Sequence, residues 1–136
     1  MNRKLRVAVV GIGKMGLLHA SILNAIPEVE LKALCDKSFL IRKFLKKVFK
    51  EISIVKDIKD LSKSDLDVVY VTTPIHSHYS VVKTLCSENI ASNFFVEKPL
   101  ASSFNQAKEL CDLAQDSKGV NMVGYMRRFS VTFRKA

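Results

Sequence analysis

Residues 11–16 read Gly11-Ile12-Gly13-Lys14-Met15-Gly16 and fit the pattern G-x-G-x-x-G. The turn directly follows residues 5–10, an apolar and β-branched stretch that predicts a buried strand. Apolar residues at helical spacing come after it, so the glycines join a strand to a helix. In that setting the first glycine permits a tight turn, the second lets the backbone approach a pyrophosphate, and the third lets the helix pack against the strand. The pattern predicts a dinucleotide phosphate site at the helix N-terminus.

Asp36 stands 20 residues beyond Gly16, at the end of the next predicted strand. A carboxylate there accepts hydrogen bonds from ribose hydroxyls and repels a 2′-phosphate, which favours NAD over NADP. Lys37 beside it could pair with such a phosphate, so NADP stays possible. The alternative role for Asp36 is a plain helix cap. A phosphate loop of the G-x-x-x-x-G-K-[ST] type is excluded, because Leu17 and Leu18 occupy its Lys and Ser/Thr positions.

Strands and helices alternate along the rest of the chain. The predicted strands cover residues 5–10, 29–35, 52–55, 67–72, 93–96 and 119–123. The predicted helices cover residues 14–26, a basic segment capped by Ser38, residues 76–89 and residues 103–117, with a helical turn at 57–61. We expect the third helix to bury Tyr79, Val82, Leu85 and Cys86, and the fourth to turn Phe104, Ala107, Leu110, Cys111 and Ala114 inward. The alternation predicts an α/β fold: a Rossmann-type, doubly wound parallel sheet of about six strands with helices on both faces.

The bulk composition is that of an ordinary globular domain, with 136 residues, 48% hydrophobic and 26% charged. No apolar run is long enough to span a bilayer, and the N-terminus reads as a strand rather than a signal peptide, so we predict a cytoplasmic protein. The three cysteines show no metal-binding spacing and are expected to be reduced core thiols. No metal site is predicted, because His76 and His78 lack further ligands nearby.

The net charge of +9 is concentrated in residues 37–50, where lysines and an arginine alternate with apolar residues at helical spacing. The pattern favours an amphipathic helix with a solvated basic face. Binding of nucleic acid or of an acidic membrane surface through this helix is the alternative. We predict neither partner.

Further signals follow the later strands, at the edge where doubly wound sheets bind ligands. They are Thr72-Thr73-Pro74, His78, Glu97-Lys98-Pro99 and Gly124-Tyr125 with Arg128-Phe129. Together with the glycine turn and His19 behind it, this ordered set resembles the glucose–fructose oxidoreductase and inositol dehydrogenase family, which is related to biliverdin reductase. The resemblance runs over the whole chain. One departure is Ile75, where the family often has asparagine.

The resemblance implies roles for these residues. Lys98 would lie beside the nicotinamide and the substrate hydroxyl as the catalytic residue of this chain, in acid–base work. The Lys98–Pro99 bond could be cis, and His78 would help close the loop over the cofactor. The full predicted cofactor-binding set is Gly11, Ile12, Gly13, Lys14, Met15, Gly16, Asp36, Lys37, Thr72, Thr73, Pro74, His78, Glu97 and Lys98.

The resemblance also implies a second α/β domain that would follow residue 136 and hold the substrate. We therefore expect residues 1–126 to form the dinucleotide-binding domain and residues 127–136 to begin the crossing to the missing domain. Such a chain would bind NAD, or NADP, without turnover, and a sugar, polyol or related molecule only with the second domain present. Exposed Phe129, Val131 and Phe133 would favour a homo-oligomer. The competing hypothesis is a non-catalytic nucleotide-binding or partner-binding module.

Overall fold

The computed structural model describes residues 3–131, and they form one sheet with helices on both faces. The strands are β1 (Leu5–Val10), β2 (Val29–Cys35), β3 (Ser53–Val55), β4 (Val68–Val71), β5 (Asn93–Val96) and β6 (Asn121–Val123). The helices are α1 (Lys14–Ala25), α2 (Phe39–Val48), α3 (Ile75–Ser87) and α4 (Phe104–Asp116). Two 3₁₀ segments, Ile58–Ser64 and Met126–Phe129, complete the described elements.

The six strands pair in parallel in the order β3-β2-β1-β4-β5-β6. The chain starts at the centre, winds outward through β2 and β3, then returns to pair β4 on the other side of β1. This reversal creates a switch point between β1 and β4, where the loops leaving the two strands diverge and open a crevice. The predicted doubly wound α/β sheet is confirmed.

Each face of the sheet has its own core. One core joins α1 and α2 to the sheet through residues such as Ala20, Leu23 and Leu45. The other joins α3, α4 and the Ile58–Ser64 segment to the opposite face. The strands supply side chains to both cores in alternation, so Val7 and Val9 point one way while Ala8 and Val10 point the other. This sandwich fixes the loops at the carboxyl edge on rigid supports.

The predicted inward faces of the last helices need correction. Phe104 was expected to be buried in α4 but is 79% exposed, and Cys111 is also exposed, so it is not a core thiol. Leu110 alone in α4 is fully buried. In α3 the buried side chains are His78, Val81, Val82 and Leu85, whereas Tyr79 and Cys86 are half-buried. The α4 helix covers an outer part of the sheet, so only a narrow stripe of it meets the core.

The basic segment forms α2, and the Ser38 side chain accepts a hydrogen bond from Ile41 N as its N-cap. Leu45 is buried on the inner side. Four apolar residues on this helix stay largely exposed, namely Phe39, Leu40, Phe44 and Val48. Among residues 3–131, no helix is long and apolar enough to cross a membrane.

An ion-pair network closes the amino edge of the sheet. Asp67 accepts hydrogen bonds from the backbone N of Arg6 at 2.8 Å, from its side chain at 3.1 Å and 3.2 Å, and from Arg3 Nη2 at 2.6 Å. Hydrogen bonds from the Arg6 side chain and backbone lower the pKa of Asp67 to about 2, from a reference value of 3.8. The side chains of Asp67 and Arg6 are 14% and 16% exposed, whereas that of Arg3 is 68% exposed, so it is the Asp67–Arg6 pair that lies largely outside bulk solvent.

Acid is therefore expected to weaken the fold through Asp67. A carboxyl whose folded-state pKa is depressed stabilises the fold above its unfolded pKa, and that contribution is lost as the pH falls through the folded pKa. Between about pH 5 and pH 2 the wild-type chain should lose about 2 kcal/mol more free energy of unfolding than Asp67→Asn, whose side chain does not titrate. Urea titrations at several pH values measure this. Parallel pH profiles for the two proteins would contradict it.

Candidate functional site

The geometry of the glycine turn depends on two of its three glycines. Gly11 adopts φ = +88°, and a Cβ added there would lie 2.6 Å from Thr73 Cγ2. A Cβ on Gly16 would lie 2.0 Å from the carbonyl oxygen of Gly11, so the start of α1 packs directly on the turn. A Cβ on Gly13 would meet nothing within 4 Å. The first and third glycines are thus required by the protein itself, whereas the second borders open space.

Two side chains hold the turn in place. Thr72 Oγ1, at the end of β4, donates to the carbonyl oxygens of Val10 at 3.1 Å and Gly11 at 2.7 Å. The Asp36 carboxylate, at the end of β2, accepts from Ile12 N at 2.7 Å and from Ser38 N at 2.8 Å. Each carboxylate oxygen keeps a second acceptor site for a ligand hydroxyl. Asp36 therefore shapes the turn and remains able to accept from a ribose.

A cleft of about 820 Å³ opens at the carboxyl edge of the sheet, over the glycine turn and between the loops that follow β1, β2 and β4. It has room for a dinucleotide-sized ligand lying along the switch point. Most of the predicted cofactor-binding residues line it: Gly11, Gly13, Lys14, Met15, Asp36, Lys37, Thr72, Thr73 and Pro74. The far end of the cleft is formed by Lys56, Ile58 and residues of α3, which the sequence did not single out.

Two further observations indicate that the cleft fits a dinucleotide. The open space at Gly13 lies where the N-terminus of α1 presents free N–H groups, as a pyrophosphate requires. Within the described residues, Thr73 Oγ1 is the buried side-chain polar atom without a hydrogen-bond partner, and Thr73 lines the cleft. A buried hydroxyl without a partner is unfavourable, so a ligand group that completes its hydrogen bond would stabilise the complex.

Cys35 also lines the cleft, but it does not supply a nucleophile. Its burial raises the pKa of the thiol to about 12. The thiol therefore stays protonated at neutral pH and behaves as a small apolar side chain that donates weakly to the Lys56 carbonyl oxygen at 3.6 Å. Within residues 3–131, no group of His, Cys, Asp and Glu side chains is placed to hold a metal ion.

Five predicted site residues are not among those that line the cleft: Ile12, Gly16, His78, Glu97 and Lys98. Ile12 and Gly16 are buried beneath the turn and support it. Lys98 follows β5 with an exposed side chain, and the peptide bond between Lys98 and Pro99 is cis, as expected from the sequence. The part of these five residues in cofactor binding or chemistry stays a prediction.

Glu97 turns away from the cleft toward α1. Its carboxylate is 6% exposed, and Oε1 lies 3.0 Å from Nε2 of His19. The imidazole of His19 packs against both Tyr70 and Phe95, whose ring centroids lie 5.6 Å and 5.1 Å away. The sequence marked His19 only as part of a motif. Because the partners lie 78 residues apart, nothing in local spacing pointed to this pair.

His78 is 1% exposed and bridges two loops. Its Nε2 lies 2.7 Å from the carbonyl oxygen of Thr73, and its Nδ1 lies 2.9 Å from the carbonyl oxygen of Pro99. The first contact joins His78 to the loop after β4, while its role in closing that loop over a cofactor stays a prediction. The second contact, to the segment that carries Lys98, was not expected.

Comparison with known proteins places the chain among oxidoreductase domains. Residues 5–125 match the family described as "Oxidoreductase family, NAD-binding Rossmann fold". The chain is 28% identical over 141 residues to scyllo-inositol 2-dehydrogenase (NAD(+)) from Bacillus subtilis. This alignment covers 100% of this chain and 40% of that protein. The alignment therefore leaves more than half of the relative's length unmatched.

Solved structures show the same fold. Myo-inositol 2-dehydrogenase from Lactobacillus plantarum is 25% identical and superposes with a TM-score of 0.84 over 98% of this chain and 40% of that chain. GenD2 from gentamicin A biosynthesis, in complex with NAD, is 30% identical with a TM-score of 0.81 over 91% of this chain and 35% of that chain. In each case this chain corresponds to less than half of the related protein.

Proposed function

Because this chain belongs to the oxidoreductase family with an NAD-binding Rossmann fold, we propose that its cleft binds NAD with the pyrophosphate over Gly13. The observation that carries the proposal is the open space at Gly13, beside a turn that the other two glycines hold rigidly. Backbone N–H groups at the start of α1 would bind the phosphates. Asp36 would accept from the ribose through its remaining acceptor sites, and Thr73 Oγ1 would gain the partner it lacks.

This chain spans about 40% of the length of the relatives that it matches. For a protein of the relatives' full length, we propose dehydrogenase activity on sugars or polyols. NAD held by the glycine turn and Asp36 would supply the hydride chemistry of such a reaction. Lys98, exposed at the carboxyl edge, would contact the substrate hydroxyl and move its proton. A hydroxyl-bearing carbon must also be held against the nicotinamide, and Lys98, the residue proposed to contact the substrate, is not among those that line the cleft. We therefore expect residues 1–136 to bind the cofactor without turnover.

Calorimetric titration tests the cofactor site. We expect NAD to bind more tightly than NADP, because the Asp36 carboxylate would repel a 2′-phosphate. Asp36→Asn should weaken NAD by about tenfold and narrow the difference between the two cofactors, since the amide loses the charge and one acceptor. Asp112→Asn, at an exposed position of α4 away from the cleft, is the matched control, because it makes the same change of side chain and of charge. If neither cofactor binds to the wild-type chain, the proposed function is wrong.

A non-catalytic binding module is the second candidate, favoured by the position of Lys98 outside the residues that line the cleft. Assaying polyols for NADH production, with this chain and with any longer product of the same gene, separates the two. Production by the longer form would remove the second candidate.

Phe129 and Val131 are exposed as predicted, whereas Phe133 lies outside the described residues. A homo-oligomer and a cytoplasmic location, where NAD is available, both remain predictions.

A further inference from the structure

Two histidines connect the cofactor-binding helices to the segment that carries Lys98. The α1 helix begins directly after Gly13, and its His19 contacts the Glu97 carboxylate at 3.0 Å. The α3 helix begins directly after Pro74, and its His78 contacts the carbonyl oxygen of Pro99 at 2.9 Å. The two helices lie on opposite faces of the sheet. Residues 97–99 are therefore held from both sides.

Lys98 lies between the two contacts. Its backbone N–H donates to Oε2 of Glu97 at 3.1 Å, so the carboxylate that His19 holds also fixes the Lys98 backbone. The side chain of Lys98 is exposed, while both supporting groups, Glu97 and His78, are almost fully buried. A free amine on an anchored backbone is the arrangement that a residue needs if it must meet a substrate at a fixed place.

Packing fixes the orientation of the first histidine. Tyr70 and Phe95 stack on each other with centroids 4.7 Å apart, and both rings contact the imidazole of His19. A Cβ on Gly124 would lie 2.8 Å from Phe95 and 3.4 Å from Oε1 of Glu97, so the chain after β6 closes the other side of this pair. The Glu97 carboxylate has little freedom to leave its position.

We propose that His19 and His78 are positioning residues that fix the Lys98 backbone relative to the cofactor cleft. His78 also contacts a residue that lines the cleft, because its Nε2 lies against the carbonyl oxygen of Thr73. The buried hydroxyl of Thr73 has no hydrogen-bond partner among the described residues. A ligand that engages Thr73 would act on the same loop that His78 ties to Pro99. Binding of a ligand in the cleft is thereby coupled to the order of the Lys98 backbone. This consequence rests on the proposed function.

The two ring nitrogens of His78 can be tested separately. An asparagine amide lies near the Nδ1 position and a glutamine amide near the Nε2 position. His78→Asn thus places a donor at the carbonyl oxygen of Pro99, and His78→Gln places one at that of Thr73. His19→Gln likewise keeps a donor for Glu97, whereas His19→Leu removes it. Leu85→Ala is the control, since it removes a fully buried side chain from α3 that makes none of the described hydrogen bonds of residues 97–99.

The experiment measures hydrogen exchange of the Lys98 amide by NMR, first in the NAD-free chain. Exchange should accelerate about fivefold, as for the loss of one hydrogen bond, in His19→Leu and in His78→Gln. It should stay near the wild-type rate in His19→Gln, in His78→Asn and in Leu85→Ala. Wild-type rates in His19→Leu and His78→Gln, or acceleration of equal size in Leu85→Ala, would overturn the proposal. If His19→Leu does not fold, His78→Gln decides.

The second arm adds saturating NAD. It should slow exchange of the Lys98 amide in the wild type, and this effect should disappear in His78→Asn, which keeps the Pro99 contact and loses the Thr73 contact. An equal effect of NAD in His78→Asn would overturn the coupling through His78. Failure of NAD to bind to the wild type would instead refute the proposed function. The measurements without NAD would still test whether the two histidines position Lys98.

Discussion

Gly13→Val is expected to weaken NAD binding by about 100-fold or more, because its side chain would occupy the space proposed for the pyrophosphate. The protein itself should tolerate the change. Nothing lies within 4 Å of a Cβ at this position, and the backbone there is extended, with φ of −79° and ψ of −161°. Valine is a poorer N-cap than glycine, so we expect a loss of about 1 kcal/mol in the free energy of unfolding. Calorimetry with NAD and urea denaturation measure the two effects.

Gln115→Val is the matched control, because it places the same side chain on an exposed position of α4, away from the cleft. It should bind NAD as the wild type does. Intermediate size at position 13 gives a graded comparison, and Gly13→Ala should weaken NAD less than Gly13→Val. If Gly13→Val folds and retains wild-type affinity for NAD, the pyrophosphate does not lie over this glycine and the proposed binding mode is wrong.

The sequence predicted the sheet and the close packing at the glycine turn, because both depend on local patterns. A glycine turn between an apolar strand and a helix has few other physical explanations, and the structure confirms the roles of Gly11 and Gly16. Asp36 was placed by its distance along the chain, and it does lie beside the turn. The alternation of strands and helices was sufficient for a parallel doubly wound sheet, because parallel strands require crossover connections.

The buried faces of the helices were predicted less well, because apolar spacing alone does not say how much of a helix the sheet covers. In α4, Phe104 and Cys111 fit the same helical pattern as Leu110, yet only Leu110 meets the core. A sequence pattern identifies the apolar side of an amphipathic helix. The width of the buried stripe is set by neighbours that are distant in sequence, such as α3 for this helix.

Long-range polar contacts could not be predicted from the sequence either, because they too depend on neighbours that are distant along the chain. The motif Glu97-Lys98-Pro99 indicated a site residue at 97, but not that its carboxylate would turn onto His19. His78 was expected beside the cofactor loop, and its second contact to Pro99 emerges only when the loops after β4 and β5 are side by side. The sequence thus marked the residues that gather at the carboxyl edge without specifying which of them face the ligand and which hold their neighbours.

Gly16→Ala is expected to destabilise the fold by about 3 kcal/mol, the effect of overpacking against rigid neighbours. In an ordinary helix the same substitution would stabilise the protein by up to about 1 kcal/mol, because alanine is the better helix former. Here the added Cβ would lie 2.0 Å from the Gly11 carbonyl oxygen and 2.8 Å from Thr72 Oγ1. The α1 helix must move away, and the hydrogen bond of Thr72 to Gly11 that fixes the turn is then lost.

The control for Gly16→Ala is Gly124→Ala. Its Cβ would also be crowded, at 2.8 Å from Phe95 Cζ, but the neighbour is the end of a side chain that can rotate rather than a backbone atom. We expect a loss of about 1 kcal/mol there. Urea denaturation of both variants measures the difference, and NAD binding should fall with Gly16→Ala because the turn itself is displaced. A Gly16→Ala chain as stable as the wild type would mean that α1 does not pack on the turn as closely as the structure indicates. The basis for reading residues 11–16 as a rigid phosphate cradle would then be lost.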